Sequence, residues 1–209
     1  MQRLNTLVEI QPLHVRYAGE DEIMGHVYLY YGTGGGKTTN ALGLALRSVG
    51  HNHKVVVIQF MKWWKNIGEY KIKDRLSPHY EIYQFGRPGW MQFEGEDKEI
   101  KFGGVSLPVR HVDDSDRKLA KKALDFALKI MQENKPHLLI LDEICLAVHS
   151  GLLSVEEVLS LVNKAPTETD IVITGRYAPK ELIDRADFVN EIVSIKSPAV
   201  FVTKEGIQY

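Results

Sequence analysis

The sequence predicts a doubly wound α/β protein, a mostly parallel sheet in three α/β/α layers. Three observations predict it. Near-continuous apolar runs recur at His26–Tyr31, Lys54–Phe60, Leu138–Leu141 and Asp170–Thr174, as in strands buried on both faces. Amphipathic helical patterns stand between them, the alternation that builds parallel crossover units. The residues with chemistry follow directly on strands, where sheets of this class hold ligands.

The first strand reads over His26–Tyr31 and runs into a glycine loop. A helix follows, with Leu42, Leu44, Ala45 and Val49 on one face and Gly50 as its stop. The second strand, Lys54–Phe60, then implies a parallel pair with a right-handed crossover. Glu81–Phe85 reads as a third strand. Residues 86–114 are rich in Gly, Pro and charge and read as a long loop with a hairpin, and long loops in compact domains tend to be functional. Ser115–Glu133 reads as an amphipathic helix with Leu119, Ala123, Phe126, Ala127 and Ile130 inward, broken by Pro136. Leu138–Leu141 is a strand ending in Asp142–Glu143. Ser154 with Glu157 is a capping box opening the next helix. Asp170–Thr174 is a strand, Pro179–Ala186 a short helix, and Phe188–Ile195 a last strand to which Val200–Val202 adds.

The 209 residues suit one domain. Residues 1–25 read as an N-terminal extension placed to cover the site, and 26–209 as a single nucleotide-binding domain. Lys plus Arg total 26 and Asp plus Glu 27, a net charge of -1, which argues against a general nucleic-acid binder. Cys145 is the single cysteine, so an intrachain disulfide and a cysteine metal cluster are excluded. A reducing, cytoplasmic setting follows as the expectation. The N-terminal stretch has no apolar run long enough for a signal peptide or a membrane span. The dispersed histidines have no metal-ligand spacing.

The chemistry begins at YYGTGGGKTTN, Tyr30–Asn40. It resembles a phosphate-binding loop, but three residues separate Gly32 from Gly36 where the usual pattern has four. Glycines let backbone N–H groups of Gly32, Thr33, Gly34, Gly35 and Gly36 turn inward as an anion nest, and the following helix adds its N-terminal dipole. Lys37 brings a mobile cation, and the Thr38 and Thr39 hydroxyls lie at the helix start, where Thr38 can ligate Mg²⁺. Strand, glycines, Gly-Lys-Thr-Thr and helix stand in the required order, so a P-loop NTPase domain of RecA-like shape is expected. Asp142 and Glu143 follow an apolar strand, so either can reach Mg²⁺ directly or through water, and sequence does not choose between them. Arg176, just after a strand, is placed to meet a phosphate or carboxylate. Arg47 and His51 end the first helix, where cations also favour the helix dipole. Lys62-Trp63-Trp64-Lys65 and Arg87-Pro88-Gly89-Trp90 interleave aromatics with cations, a pattern that can stack on flat ligands.

The chain resembles the P-loop ATP:corrinoid adenosyltransferases. The resemblance rests on Gly32–Thr39 with its shortened spacing, Arg47–His51, Gln59–Lys62, Gly68-Glu69, Leu141–Glu143, Ile173–Arg176 and Gly206–Tyr209, an ordered set from about His26 to the end. It implies ATP and a reduced Co(I) corrinoid as substrates, Mg²⁺, attack of cobalt on the ATP 5′ carbon and departure of the whole triphosphate. It implies ATP lying along the loop in the reverse of its common direction. Lys37, Thr38 and Glu143 then carry catalysis, Arg47 and His51 join the loop in holding ATP, and Trp90 meets the corrinoid as one of the lid aromatics. A flavoprotein reductant and a homodimer are also implied. The family's loop has a second lysine where Gly35 stands, and the phenylalanine companion of Trp90 is missing at Pro88-Gly89. Two other readings share the loop: a kinase or ATPase of RecA-like fold, and a nucleotide-gated binding protein without turnover.

Overall fold

The computed structural model describes residues 25–91, 99–102, 105–199 and 203–208. The predicted extension over 1–25, apart from Gly25, and the predicted contribution of Val200–Val202 lie outside the described residues, as does the side chain of Trp90.

Six parallel strands form the main sheet: β1 (Val27–Tyr31), β2 (Val55–Phe60), β3 (Tyr80–Phe85), β7 (Leu138–Asp142), β8 (Asp170–Gly175) and β9 (Phe188–Glu191). Their order is β3-β2-β7-β8-β1-β9. Every residue of β2 and β7 is buried, because side chains alternate between two covered faces. Val55 and Val57 point to one face with Ile140 and Val172, and meet Ala41 and Ala45 of α1 (Lys37–Gly50). Val56, Ile58 and Phe60 point to the other, with Leu139, Leu141, Ile171 and Ile173, and meet Ala120, Ala123, Ala127 and Met131 of α3 (Asp114–Glu133). Alanines at these helix positions let both helices approach the sheet closely.

The expected pairing of the first two strands is corrected. β1 and β2 are parallel members of one sheet but not neighbours, since β7 and β8 lie between them. Three strand spacings of about 4.8 Å separate them. α1, about 21 Å long at 1.5 Å per residue, packs across β1, β8, β7 and β2 and makes that connection. The most apolar strands therefore occupy the centre, where both faces are covered.

Two helices start on capping boxes. Asp113 accepts from Ser115 and Asp116 N–H groups and starts α3. Ser154 and Glu157 start α5 (Val155–Val162) as expected. Three short elements have no sequence-level counterpart above: α2 (Gly68–Lys71), a 3-10 turn over Ile72–Arg75, and α4 (Ile144–His149). One or two turns are too short to show a helical period. α6 (Lys180–Arg185) matches the expected short helix, whereas β9 ends at Glu191, short of Ile195.

The hairpin expected in 86–114 is β5 (Glu99–Phe102) with β6 (Val105–Arg110), antiparallel, and β4 (Trp90–Met91) adds to β6 in parallel. This small sheet is fastened at its base. Arg87 and Arg110 each place two donors on the buried Asp116 carboxylate, at 3.0 and 2.9 Å and at 2.6 and 2.9 Å. Arg87 also reaches Asp113. Such forked pairs fix orientation as well as charge, so the loop that carries Trp90 springs from a set position beside α3.

Leu141 is fully buried between α3 and the sheet. Leu141→Ala is expected to lower stability by about 2–5 kcal/mol, read as a fall in the urea midpoint with the slope unchanged.

Candidate functional site

The carboxyl ends of β1, β2, β7 and β8 come together at one end of the sheet, and register decides which side chains meet there. Gln59 of β2 lies opposite Asp142 of β7, and Tyr31 of β1 lies opposite Gly175 of β8. Between β1 and α1 runs the glycine loop. Gly36 has φ 107° and caps α1 with no side chain across the helix end, so the N-terminus of the helix faces the site as an anion position. A Cβ on Gly32 would stand 2.4 Å from the Ile192 carbonyl oxygen, which is the close approach that excludes any other residue. Gly35 differs, since a side chain there would meet nothing within 4 Å. Packing would admit a lysine at that position.

Lys37 is buried and folds back over the loop, its Nζ donating to the Gly34 carbonyl at 2.6 Å. Burial lowers its pKa and Arg176 adds to that, against the pull of Glu143 and Asp142. Asp142 is completely buried and fully bonded. Its Oδ1 accepts from Thr38 Oγ1 at 2.8 Å and Thr174 Oγ1 at 2.7 Å, and its Oδ2 from Lys62 Nζ at 2.6 Å and Gln59 Nε2 at 3.0 Å. Burial alone would raise its pKa, but Lys62 and the two hydroxyls outweigh burial and the net shift is downward.

Glu143 is the opposite case. It sits in the left-handed region at φ 64° as the residue before α4, a conformation that costs about 1–3 kcal/mol outside glycine. Its own N–H is held by Thr174 Oγ1 at 3.0 Å. Its Oε2 is buried without a partner. Burial raises its pKa, and the neighbouring Asp142 charge raises it further. An orphaned carboxylate oxygen and the Thr38 hydroxyl, on residues that line one cavity, make a hard oxygen set of the kind Mg²⁺ takes. Among the described residues no three His, Cys, Asp or Glu side chains could hold a metal by themselves, so phosphate oxygens would have to complete the shell. Asp142, with both oxygens engaged, would act on such an ion through Thr38.

A cavity of about 830 Å³ opens from this point. Gly35, Gly36, Lys37, Thr38, Lys62 and Glu143 form its polar end. Its other end is apolar, lined by Leu42, Leu46 and Val49 of α1, by Ile72 and Leu76, and by Ile207 of the C-terminal segment. Leu46 and Ile207 are 66% and 70% exposed, and both line this one cavity. Lys71 pairs with Glu205 at 3.3 Å and ties the C-terminal segment to α2.

The structure thus brings Gly35, Gly36, Lys37, Thr38, Thr39 and Glu143 to one cavity, with Asp142 behind it. Gly32 and Gly34 are buried against the Ile192 and Val193 backbone at the start of the loop, and neither they nor Thr33 are among the residues lining the cavity. Arg176 is exposed at the end of β8, within electrostatic reach of Lys37 and Glu143. Arg47 and His51 are exposed at the far end of α1, about 15 Å and about 21 Å along its axis from Lys37, and neither lines the cavity. The backbone of Trp90 pairs with Val109 in the small sheet. Gln59, Lys62, Glu69, Thr174 and residues 206–208 lie in stretches that carry the family resemblance, and Lys62 also in a run of cations and aromatics, but no local pattern gives any of them its place in this network. A polar Gln59 inside an otherwise apolar strand is a further local signal of it.

Because the folded state holds the Glu143 proton more tightly, the residue costs stability increasingly as pH rises above its ordinary value of 4.5 and through its folded value. Glu143→Gln is therefore expected to melt higher than the parent, with a gap that widens from pH 4.5 upward. Each kcal/mol relieved corresponds to about 2–4 °C; a gap that shrinks with rising pH would contradict the sign.

Residues 24–209 match the model of the family described as ATP:corrinoid adenosyltransferase BtuR/CobO/CobP. The chain is 33% identical over 182 residues to the corrinoid adenosyltransferase CobA of Salmonella typhimurium, covering 87% of this chain and 83% of that one. It is 29% identical over 187 residues to the corrinoid adenosyltransferase of Escherichia coli, covering 89% and 85%. To the Pseudomonas aeruginosa enzyme of the same name it is 27% identical over 187 residues, covering 88% and 84%. With its shortened loop, its parallel sheet and a match over nearly the whole length, the chain belongs to the ATP:corrinoid adenosyltransferase family.

Proposed function

We propose that this protein is an ATP-dependent corrinoid adenosyltransferase that moves the 5′-deoxyadenosyl group of ATP onto the cobalt of a Co(I) corrinoid, in the making or salvage of adenosylcobalamin. One observation beyond family membership carries the proposal: the phosphate loop and a large apolar chamber form a single cavity. The triphosphate lies on Gly35, Gly36 and the start of α1, and the adenine base lies against Leu46, Val49 and Ile207. The 5′ carbon then stands between the two ends, open to a second substrate.

In the transfer the cobalt electron pair forms the Co–C bond, the C5′–O bond breaks, and its electrons leave with the triphosphate. No proton moves, so the site needs no general base. It needs positive charge where the leaving oxygens gain negative charge. Lys37 supplies it by leaving the Gly34 carbonyl for a phosphate oxygen, and the helix N-terminus supplies it through backbone N–H groups. Mg²⁺, when bound, neutralises part of the triphosphate charge, with Thr38 and Glu143 as its protein ligands. Trp90 serves the corrinoid from the small sheet fastened by Arg87 and Arg110. Arg176 offers a further phosphate contact. A flavoprotein reductant, a cytoplasmic setting and a homodimer complete the proposal. Phe188, Val189, Val193 and Ile195 are exposed on and just beyond the edge strand β9 and give a second copy an apolar face. Among the described residues no helix is long and apolar enough to cross a membrane.

The test is to incubate the protein with Mg²⁺, ATP and chemically reduced corrinoid. Tripolyphosphate with a light-sensitive adenosylated corrinoid is the expected product pair. ADP and phosphate would mean a kinase or ATPase instead, and intact ATP that remains bound would mean a binding protein. Lys37→Ala is expected to lower turnover by about 10²–10³ with the folded state retained, and unchanged turnover would remove the loop from the mechanism. Leu46→Ala and Ile207→Ala are expected to weaken ATP binding about fivefold, near 1 kcal/mol, while tripolyphosphate binding stays as it was; calorimetry with both ligands reads the difference.

A further inference from the structure

Lys62 stands where a divalent cation would act. Its Nζ is 2.6 Å from Asp142 Oδ2 and 3.4 Å from Thr38 Oγ1, the same hydroxyl that the loop offers to a metal. It is carried there by a fixed turn. Met61 sits at φ 60°, its N–H is held by the Phe85 carbonyl at 2.9 Å, and Gly86 packs so closely on the Met61 backbone that a Cβ would stand 2.4 Å away. This turn aims Lys62 back over the carboxyl ends of β2 and β7. The ammonium is partly exposed and lines the cavity, whereas its carboxylate partner is fully buried.

We propose that Lys62 is a resident counter-ion for the magnesium position, holding it in the nucleotide-free protein and making metal entry depend on the triphosphate. The proposal rests on the reading of the loop as a triphosphate and Mg²⁺ site. A metal bound to Thr38 Oγ1 would lie about 2 Å from that oxygen, within a few ångströms of the Lys62 ammonium. Like charges that close repel strongly in a partly desolvated site; among the described residues that line the nucleotide-free pocket only Glu143 and Glu69 are acidic, and the Asp142 charge behind it is already matched by Lys62. A bound triphosphate changes the balance, because its oxygens take both cations. Lys62, on a flexible four-carbon stem, then turns from Thr38 towards the phosphates while the metal settles on the hydroxyl. Free Mg²⁺ is thereby kept off the empty site, and Asp142 is never left as a bare buried charge.

The test uses Mn²⁺ as the probe, followed by electron paramagnetic resonance on the full chain, with and without tripolyphosphate. Lys62→Gln keeps a donor for Asp142 but removes the charge. The nucleotide-free Gln variant is expected to bind Mn²⁺ at least tenfold tighter than wild type, and tripolyphosphate is expected to enhance Mn²⁺ binding less in the variant than in wild type. Lys62→Arg, which keeps the charge, is expected to behave as wild type. Equal Mn²⁺ affinity in wild type and the Gln variant would overturn the proposal and reduce Lys62 to a structural partner of Asp142. Should the Gln variant lose its cooperative unfolding transition, Lys62→Gln with Asp142→Asn removes the buried pair as a unit; it should still bind Mn²⁺ at least tenfold tighter than Asp142→Asn alone, and equality there would overturn the proposal too. Failure of wild type to bind tripolyphosphate at all would instead overturn the reading of the loop on which this one stands.

Discussion

The buried carboxylate of Asp142 is the constraint on which the rest of the site depends. It lies at the end of a strand with no exposed residue, where an unpaired charge could not survive. Four donors from four elements answer it: Thr38 from α1, Thr174 from β8, Gln59 from β2 and Lys62 from the turn after β2. The requirement to satisfy one side chain therefore draws together the helix that follows the glycine loop, two neighbouring strands and one cavity wall. Each partner is in turn tied further. Thr174 also holds the Glu143 backbone, and Gln59 accepts from Gln84 of β3 at 2.9 Å.

Next to this satisfied acid stands an unsatisfied one. Asp142 and Glu143 are adjacent in the chain, yet burial acts on them in opposite net directions, because one has cationic and hydroxyl partners within hydrogen-bond distance and the other has a bare oxygen. The left-handed backbone at Glu143 turns its side chain out of the sheet and toward the cavity. Backbone strain, a raised pKa and an orphaned oxygen on one residue form a cost that a bound cation and phosphate would relieve, as is usual where structure is held ready for a ligand. The small sheet of β4, β5 and β6 shows a different solution: its base is clamped by two guanidinium forks on Asp116.

Much of this was legible in the sequence, residue by residue. The apolar runs of β2, β7 and β8 could only be strands with both faces covered, and the glycine loop could only sit between strand and helix. Asp142 and Glu143 were recognisable as carboxylates at a strand end. The neighbours of those strands were not legible, since a local pattern carries no information on which strand lies beside which; β1 and β2 were expected as a pair and are separated by two strands. The roles of Lys62 and Gln59 were hidden for the same reason: their partner is 80 or more positions away along the chain. Arg47 and His51 illustrate the converse, for their place on α1 was clear but the length of the helix carries them away from the loop.

By itself the sequence determined the class of the fold, the presence of an anion-binding loop and the chemistry available to it, because these follow from short-range periodicity and from backbone geometry that only glycine tolerates. Tertiary structure alone decided that Asp142 would be neutralised and Glu143 left open, that Lys62 would stand at the Thr38 hydroxyl, and that the C-terminal segment would wall the apolar end of the cavity. Those outcomes depend on strand register and on the desolvation of charges brought together from distant positions, and neither quantity exists until the chain has folded.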